Sequence, residues 1–219
     1  MLIAVCTAYT ISKTFTKNGG IKKLENFKNG KESDNKINLS ISISVEQMDG
    51  NKRREGTIFD DQKQGLFKVY DSTNQIIRYE FYSNNLLLYT GMYDSLNLKT
   101  GDWTYFNDKK EIVKKGTYSA NKKDKKWIFF YKNGQIQQQG SYNKGKPIGE
   151  WNWWYENKQL WRNEFYENGK MNGLATEYDS LGNLITKGEY LFGLKEGPWF
   201  YEINDHKEQG SYISGMKSG

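Results

Sequence analysis

Residues 127–155 read WIFFYKNGQIQQQGSYNKGKPIGEWNWWY, and this stretch decides the fold. Gly140 and Tyr142 are followed, after a short loop, by Gly149 and Trp151, so each aromatic stands two residues beyond a glycine. Residues two apart in a strand share a face. A hairpin centred between Asn143 and Ile148 sets Gly140 opposite Trp151 and Tyr142 opposite Gly149, and each ring then covers bare backbone. In the other direction Asn133-Gly134 is a strong hairpin signal, and a two-residue turn there pairs Tyr131 with Ile136 and Trp127 with Gly140. Gly140 is therefore expected between two tryptophans. A ring lying across a strand glycine offsets what the missing side chain costs the strand.

The unit recurs. Tyr79, Trp103, Trp127, Trp151, Ala175 and Trp199 follow one another at a spacing of 24, with Phe81, Tyr105, Phe129, Trp153 and Tyr201 two residues after five of them. The first glycines run Gly91, Gly116 and Gly140, then Asn163 in place of a glycine, then Gly188 and Gly210. The second run Gly101, Gly149, Gly173, Gly197 and Gly219, with Lys125 where one is missing. The pattern predicts an all-β chain of tandem β-hairpin repeats, one long twisted antiparallel meander sheet with almost no helix. Aromatics make up 16% of the chain against 36% hydrophobic residues in all, which suits a thin sheet better than an aliphatic core.

The pattern G-x-[YF]-x-x-G-x-x-x-G-x-W-x-x-Y resembles the MORN repeat, specifically its bacterial variant. GSYNKGKPIGEWNWWY at 140–155 and GEYLFGLKEGPWFY at 188–201 match it best, and the resemblance extends over residues 56–219. It implies hairpins stacked edge to edge. The resemblance also implies that in larger proteins such arrays accompany separate effector domains, and that bacterial relatives are often labelled antitoxin-like.

Earlier segments belong to the same scheme. FTKNGGIKKLENFKNGK at 15–31 aligns without a gap on FYKNGQIQQQGSYNKGK at 130–146. Ile37, Leu39, Ile41, Ile43 and Val45 alternate with polar residues as in a half-buried strand, and residues 46–54 read as a polar loop. Phe67 to Tyr79 is half a period, so a strand pair is missing or compressed there. The expected organisation is residues 1–12 as a signal-peptide remnant or frayed strand, 13–50 as diverged hairpin repeats and 51–219 as the array. MLIAVCTAY is too short to span a membrane, and LIAVC loosely resembles a lipoprotein cleavage box, which tilts the expected location toward the cell envelope or export. A single cysteine, Cys6, excludes an intrachain disulfide framework.

Turns are expected at Asn84-Asn85, Asp108-Lys109, Asn133-Gly134, Asn157-Lys158, Gly182-Asn183 and Asn204-Asp205, on one edge of the sheet, with the G-x-x-x-G loops on the other. Residues 109–126 carry eight lysines against Glu111 and Asp124, a local excess equal to the +6 of the whole chain. These are either solvated turn residues or a basic patch, with Lys114, Lys115, Lys122, Lys123, Lys125 and Lys126 as candidates for an anionic surface. Triads would need the lone His206, no phosphate-binding or zinc motif is present, and Glu150, Glu164 and Glu189 are the carboxylates left for a hydrolytic pair. The expected function is a non-catalytic scaffold binding another macromolecule, chiefly a protein, through the aromatic face or an open edge. Trp127, Phe129, Trp151, Trp153, Tyr155, Trp199 and Tyr201 are its candidate contacts. Rival readings are an anionic membrane or phosphoinositide surface, an antitoxin-like role and a weak carboxylate hydrolase. No nucleic acid, metal or small-molecule cofactor is expected.

Overall fold

The computed structural model describes the backbone of residues 4–6, 9–15, 21–28, 31–32, 41–203 and 206–218, and side chains within 41–202 and 206–218. Two compact units divide the chain, residues 1–41 and 42–219. The first holds β1 (Ala4–Cys6), β2 (Tyr9–Phe15), β3 (Ile21–Lys28) and β4 (Lys31–Glu32), each antiparallel to the next. Phe15 pairs with Ile21 and Lys28 with Lys31, in the register that later joins Phe130 to Ile136 and Asn143 to Lys146. The sequence likeness of 15–31 to 130–146 is thus a likeness of strand register. Ile37 and Leu39 lie outside the described residues.

The second unit is a meander. Its strands are β5 (Ile41–Met48, entering from the first unit), β6 (Lys52–Phe59), β7 (Gln62–Lys63), β8 (Gly65–Tyr70), β9 (Ile76–Ser83), β10 (Leu86–Tyr93), β11 (Lys99–Phe106), β12 (Ile112–Ser119) and β13 (Lys122–Phe130). They continue as β14 (Ile136–Asn143), β15 (Lys146–Trp154), β16 (Leu160–Glu167), β17 (Lys170–Met171), β18 (Gly173–Tyr178), β19 (Leu184–Leu191), β20 (Leu194–Ile203), β21 (His206–Ile213) and β22 (Met216–Ser218). Closing this sheet into a barrel would need a ladder between its first and last strands. Among the described residues the ladders join only strands adjacent in the chain, or one step apart where β6 meets β8 and β16 meets β18, so the sheet is open.

A single recurring contact explains why glycine and tryptophan alternate. Trp127 pairs with Gly140 on the next strand, while a Cβ placed on Gly116 of the preceding strand would fall 2.3 Å from the Trp127 ring. The same ring-on-glycine contact joins Trp103 to Gly91, Trp151 to Gly140 and Trp199 to Gly188, at 2.1–2.2 Å. No residue but glycine fits under these rings. Between β14 and β15 the register shifts so that Gly149, Glu150 and Trp151 stand against Gly140 alone, a bulge with two extra residues. The bulge frees a carbonyl, and the indole takes it: Nε1 of Trp127, Trp151 and Trp199 donates to the oxygens of Thr117, Ser141 and Glu189.

The two glycines of each unit therefore do different work, and the expectation that Tyr142 covers Gly149 is corrected. Tyr142 pairs with Pro147, and nothing lies within 4 Å of a Cβ on Gly149. Gly149 is required instead by its φ of +65°, the left-handed conformation that opens the bulge. Gly101 and Gly197 repeat it, and Lys125 adopts it at φ +56° in spite of its side chain.

Three further expectations change. The turn at Asn133-Gly134 is not two-residue: Gly134 N donates to Tyr131 O and Phe130, not Tyr131, pairs with Ile136. A one-residue bulge then restores the predicted Trp127–Gly140 register. Residues 46–54 are not a loop, since β5 and β6 leave only Asp49, Gly50 and Asn51 between them. On β5 the covered side is the polar one, Ser44 and Glu46, while Ile43 and Val45 are exposed, because Glu46 is drawn inward to Arg54 and Lys63.

The half-period slip marks a change of face. On β9, Glu80 pairs with Phe67 and Tyr82 with Gly65, while Tyr79 pairs with Gly91 and Phe81 with Tyr89. Neighbouring residues of a strand point to opposite faces. The rings of Phe67 and Tyr82 therefore pack on one side of the sheet, and those of Trp103 onward on the other. One strand, β9, stands between the Gly56–Phe67 pair on β6 and β8 and the Gly91–Trp103 pair on β10 and β11, and this odd strand accompanies the inversion.

Gly140→Val should lower stability by about 1–3 kcal/mol, because the branched side chain must displace the Trp151 ring. Gly149→Ala should cost about 1 kcal/mol through backbone strain alone. Urea titration followed by tryptophan fluorescence checks the ranking; equal losses at the two positions would show that ring cover is not the reason for Gly140.

Candidate functional site

A one-layer sheet has no second layer to cover its rings, yet Trp103, Trp127, Trp151 and Trp199 expose only 1%, 0%, 2% and 3% of their surface. Tyrosines close over them edge-on: Tyr118 packs T-shaped against Trp127 at 5.0 Å, Tyr142 against Trp151 at 4.9 Å and Tyr190 against Trp199 at 5.0 Å. Lysines complete the cover. Lys99 Nζ lies 4.4 Å from the centre of the Trp103 ring, Lys123 Nζ 4.8 Å from that of Trp127 and Lys195 Nζ 4.4 Å from that of Trp199. These lysines fall on one 24-residue series whose intervening members are Pro147 and Met171. Burial, and then repulsion from Lys114, hold the pKa values of Lys99 and Lys123 below the ordinary lysine value.

The residues singled out from the sequence are thereby sorted. Trp127, Trp151 and Trp199 are interior, Phe129, Trp153 and Tyr201 are half-buried beside them, and Tyr155 is half-buried against Trp161. Tyr155 OH donates to Tyr178 O, and Tyr201 OH meets Tyr212 OH at 3.3 Å, so these rings are also engaged between strands. The lysines of 109–126 do not form one patch. Lys114 and Lys123 lie on the tryptophan face against Tyr105 and Trp127, Lys115 lies against Phe130 on the opposite face, Lys125 and Lys126 sit in the bulge, and Lys122 stands at the edge. The three carboxylates are not brought together either. Glu150 pairs with Phe165 and Glu164 with Trp151, which puts those two on opposite faces, and Glu189 stands across from Glu196.

The edge where Lys122 lies carries the order that the faces lack. Its hairpins are two-residue turns with positive φ at both positions: Ala120-Asn121, Lys144-Gly145, Asn168-Gly169, Phe192-Gly193 and Ser214-Gly215. Each rests on the strand two before it. Asn121 N donates to Lys99 O, Gly145 N to Lys123 O, Gly169 N to Pro147 O, Gly193 N to Met171 O and Gly215 N to Lys195 O, at 2.7–3.0 Å. The residue after each turn packs beside the next turn: a Cβ on Gly145 would lie 3.7 Å from Lys122 Cβ, one on Gly169 3.4 Å from Lys146 Cβ, one on Gly193 3.9 Å from Lys170 Cβ. Lys122, Lys146 and Lys170 thus form an exposed row, joined by exposed Lys144, and none of the four makes an ion pair among the described residues. Two nearby carboxylates are occupied with backbone: Asp124 accepts from Lys144 N and Glu196 from Ser214 N. Sequence reasoning found Lys122 but missed Lys144, Lys146 and Lys170. The 24-residue step from Lys122 was the signal available.

The place of a glycine is twice taken by a buried glutamate in the same run, R-x-E-F-Y, at 78–82 and 162–166. Trp151 pairs with Glu164, so the residue that replaces glycine in the weak repeat is Glu164 and not Asn163. Glu80 exposes 3% of its surface and is held by Arg54 Nη1 at 2.8 Å, Arg78 Nη2 at 2.7 Å and Tyr82 OH at 2.8 Å. Burial alone would raise its pKa; the hydrogen bonds from Arg54, Arg78 and Tyr82 keep it below the ordinary glutamate value. Arg54 continues the chain to Glu46, which also receives Lys63. Among the described residues no group of His, Cys, Asp and Glu side chains could hold a metal ion.

Ring-covered glycines, positive-φ bulges and stacked two-residue hairpins define a tandem β-hairpin repeat protein. Residues 123–144 and 147–168 match the family model described as the MORN repeat variant, so the chain carries MORN repeats at these two adjacent units. The match says nothing of a bacterial or antitoxin-like role. No curated protein matches the chain.

Glu80→Gln should destabilise by about 3 kcal/mol, since Arg54 would be left with Glu46 alone and Arg78 would lose its carboxylate partner. Because the folded pKa of Glu80 is depressed, its contribution is complete above its unfolded value near 4.5 and fades as pH falls through the folded value. The parent protein should therefore lose stability more steeply on acidification than Glu80→Gln does. Urea midpoints measured across acidic pH check the difference; parallel curves would remove Glu80 from the acid response.

Proposed function

We propose that this chain is a non-catalytic repeat scaffold that docks on an anionic lipid surface along its two-residue hairpin edge. MORN repeats are generally scaffolds that bind proteins or membrane lipids, which supports the class of the reading. The observation that carries it is the row Lys122, Lys146 and Lys170 with Lys144, one ammonium per hairpin step, exposed and without ion pairs among the described residues. Regular spacing along a stacked run of turns suits a surface that offers phosphate groups everywhere, where a folded protein would offer acceptors at a few points. The tryptophans foreseen as anchors for a protein partner are interior. A protein-binding reading rests on Phe129, Trp153, Tyr155 and Tyr201, whose rings keep part of their surface in water.

Cosedimentation with vesicles separates the two readings. Binding is expected to vesicles of phosphatidylcholine mixed with phosphatidylserine and not to phosphatidylcholine alone, and it should weaken as salt rises. Each juxtamembrane lysine contributes about 1 kcal/mol, so changing Lys122, Lys144, Lys146 and Lys170 together to glutamine should reduce binding by about two orders of magnitude or more. The melting temperature should hardly move, because the four are exposed. Failure of the parent chain to bind phosphatidylserine vesicles at low salt overturns the lipid reading and leaves the protein one.

A further inference from the structure

The lysine series on this edge ends abruptly in apolar residues. After Lys122, Lys146 and Lys170 the next member of the row is Leu194, packed beside the Ser214-Gly215 turn with its Cδ2 3.3 Å from a Cβ on Gly215. The last two hairpins carry Leu191, Phe192 and Leu194, then Ile213 and Met216. Their exposures of 49%, 63%, 51%, 59% and 73% leave five large apolar side chains in water at adjoining tips. Leu191 pairs with Leu194 and Ile213 with Met216, so each tip is flanked by an apolar pair.

Phe192 is the anomaly. It occupies the first turn position at φ +51°, where the equivalent hairpins place Asn84, Ala120, Lys144, Asn168 and Ser214. A bulky residue in the left-handed region is strained, because its Cβ crowds the following carbonyl oxygen. Asparagine tolerates that conformation, whereas phenylalanine does not, and a ring still 63% exposed recovers little by packing within the chain. Strain of this kind collects at functional positions.

We propose that the hairpins 191–194 and 213–216 form an apolar wedge that enters the acyl boundary of a membrane while the lysine hairpins hold the anionic headgroups. This rests on the anionic-surface reading and adds to it the residues that penetrate. A lipid layer fits the tips better than a folded partner for two reasons. They are turn tips that continue the cationic row, and the amides of Gly193 and Gly215 are already taken by Met171 O and Lys195 O. Apolar side chains at the point with cationic side chains behind is the arrangement that favours an interfacial position.

Phe192→Asn separates the wedge from a structural role, because the two predict opposite signs. The substitution should raise the melting temperature by relieving the turn, and should weaken binding to phosphatidylserine-containing vesicles about tenfold. Phe192→Asn combined with Met216→Ser should leave only weak binding that high salt abolishes. In Cys6→Ser protein, an environment-sensitive fluorophore on Ser214→Cys should brighten on vesicle binding and be quenched by spin labels in the acyl chains. The same fluorophore on Asn168→Cys, among the lysine hairpins, should not. Parent-like binding by Phe192→Asn, or a label at 214 that stays aqueous on bound protein, overturns the wedge and leaves the anionic docking intact. Brightening at 214 that depends on protein concentration without vesicles assigns the tips to a second copy and also overturns it. Absence of parent binding to the anionic vesicles overturns both readings together.

Discussion

The indole ring lying on a bare strand backbone is the contact on which the rest of this structure depends. It demands glycine on the preceding strand, since any Cβ at Gly91, Gly116, Gly140 or Gly188 would enter the ring. It also demands the two-residue bulge, which turns the tryptophan back over that glycine and frees the carbonyl that its Nε1 takes up. The bulge in turn requires the left-handed residue two places before the tryptophan. One contact therefore fixes three positions per unit, and a sheet one layer thick acquires an interior without a second layer.

Parity is the second constraint. In a meander the side of the sheet a residue faces is set by counting along the strand, so a unit of one strand too many sends the core to the other side. The chain does this at β9, where Glu80 takes the place facing Phe67 and Tyr79 the place facing Gly91. A buried carboxylate needs partners, and Arg54, Arg78 and Tyr82 surround it for that reason. The same R-x-E-F-Y run returns with Glu164 beside Trp151, where the glycine–tryptophan alternation is again interrupted.

Periodicity also explains where a binding surface can form. The tryptophan face is consumed in covering its own rings, with lysine stems drawn over Trp103, Trp127 and Trp199. The hairpin edge has no such demand. Every turn there hangs from a carbonyl two strands back, so one position in each repeat is presented at a constant step. Lysine at that position gives a row of charge, and the change to Leu194 gives the row an apolar end. The proposed docking edge is a product of register, in which each side chain matters by its place in the series.

Much of this was legible in the chain alone. The 24-residue spacing, the pairing of Gly140 with Trp127 and the all-β meander follow from period-two strand geometry and from glycine's lack of a side chain, both local properties. The likeness of 15–31 to 130–146 likewise resolved into shared register. Other features needed the folded sheet. Gly140 and Gly149 look alike in sequence, and only the bulge shows that one is bare to admit a ring and the other is glycine for its φ. Asn163 stood in the aligned glycine column, yet cross-strand register gave that place to Glu164. The aromatic residues left open whether Trp127, Trp151 and Trp199 would form a surface or be covered, because cover comes from tyrosines and lysine stems on other strands. The row of Lys122, Lys146 and Lys170 was written at constant spacing, but charge becomes a surface only when turns stack, and stacking is decided by hydrogen bonds between residues some twenty positions apart.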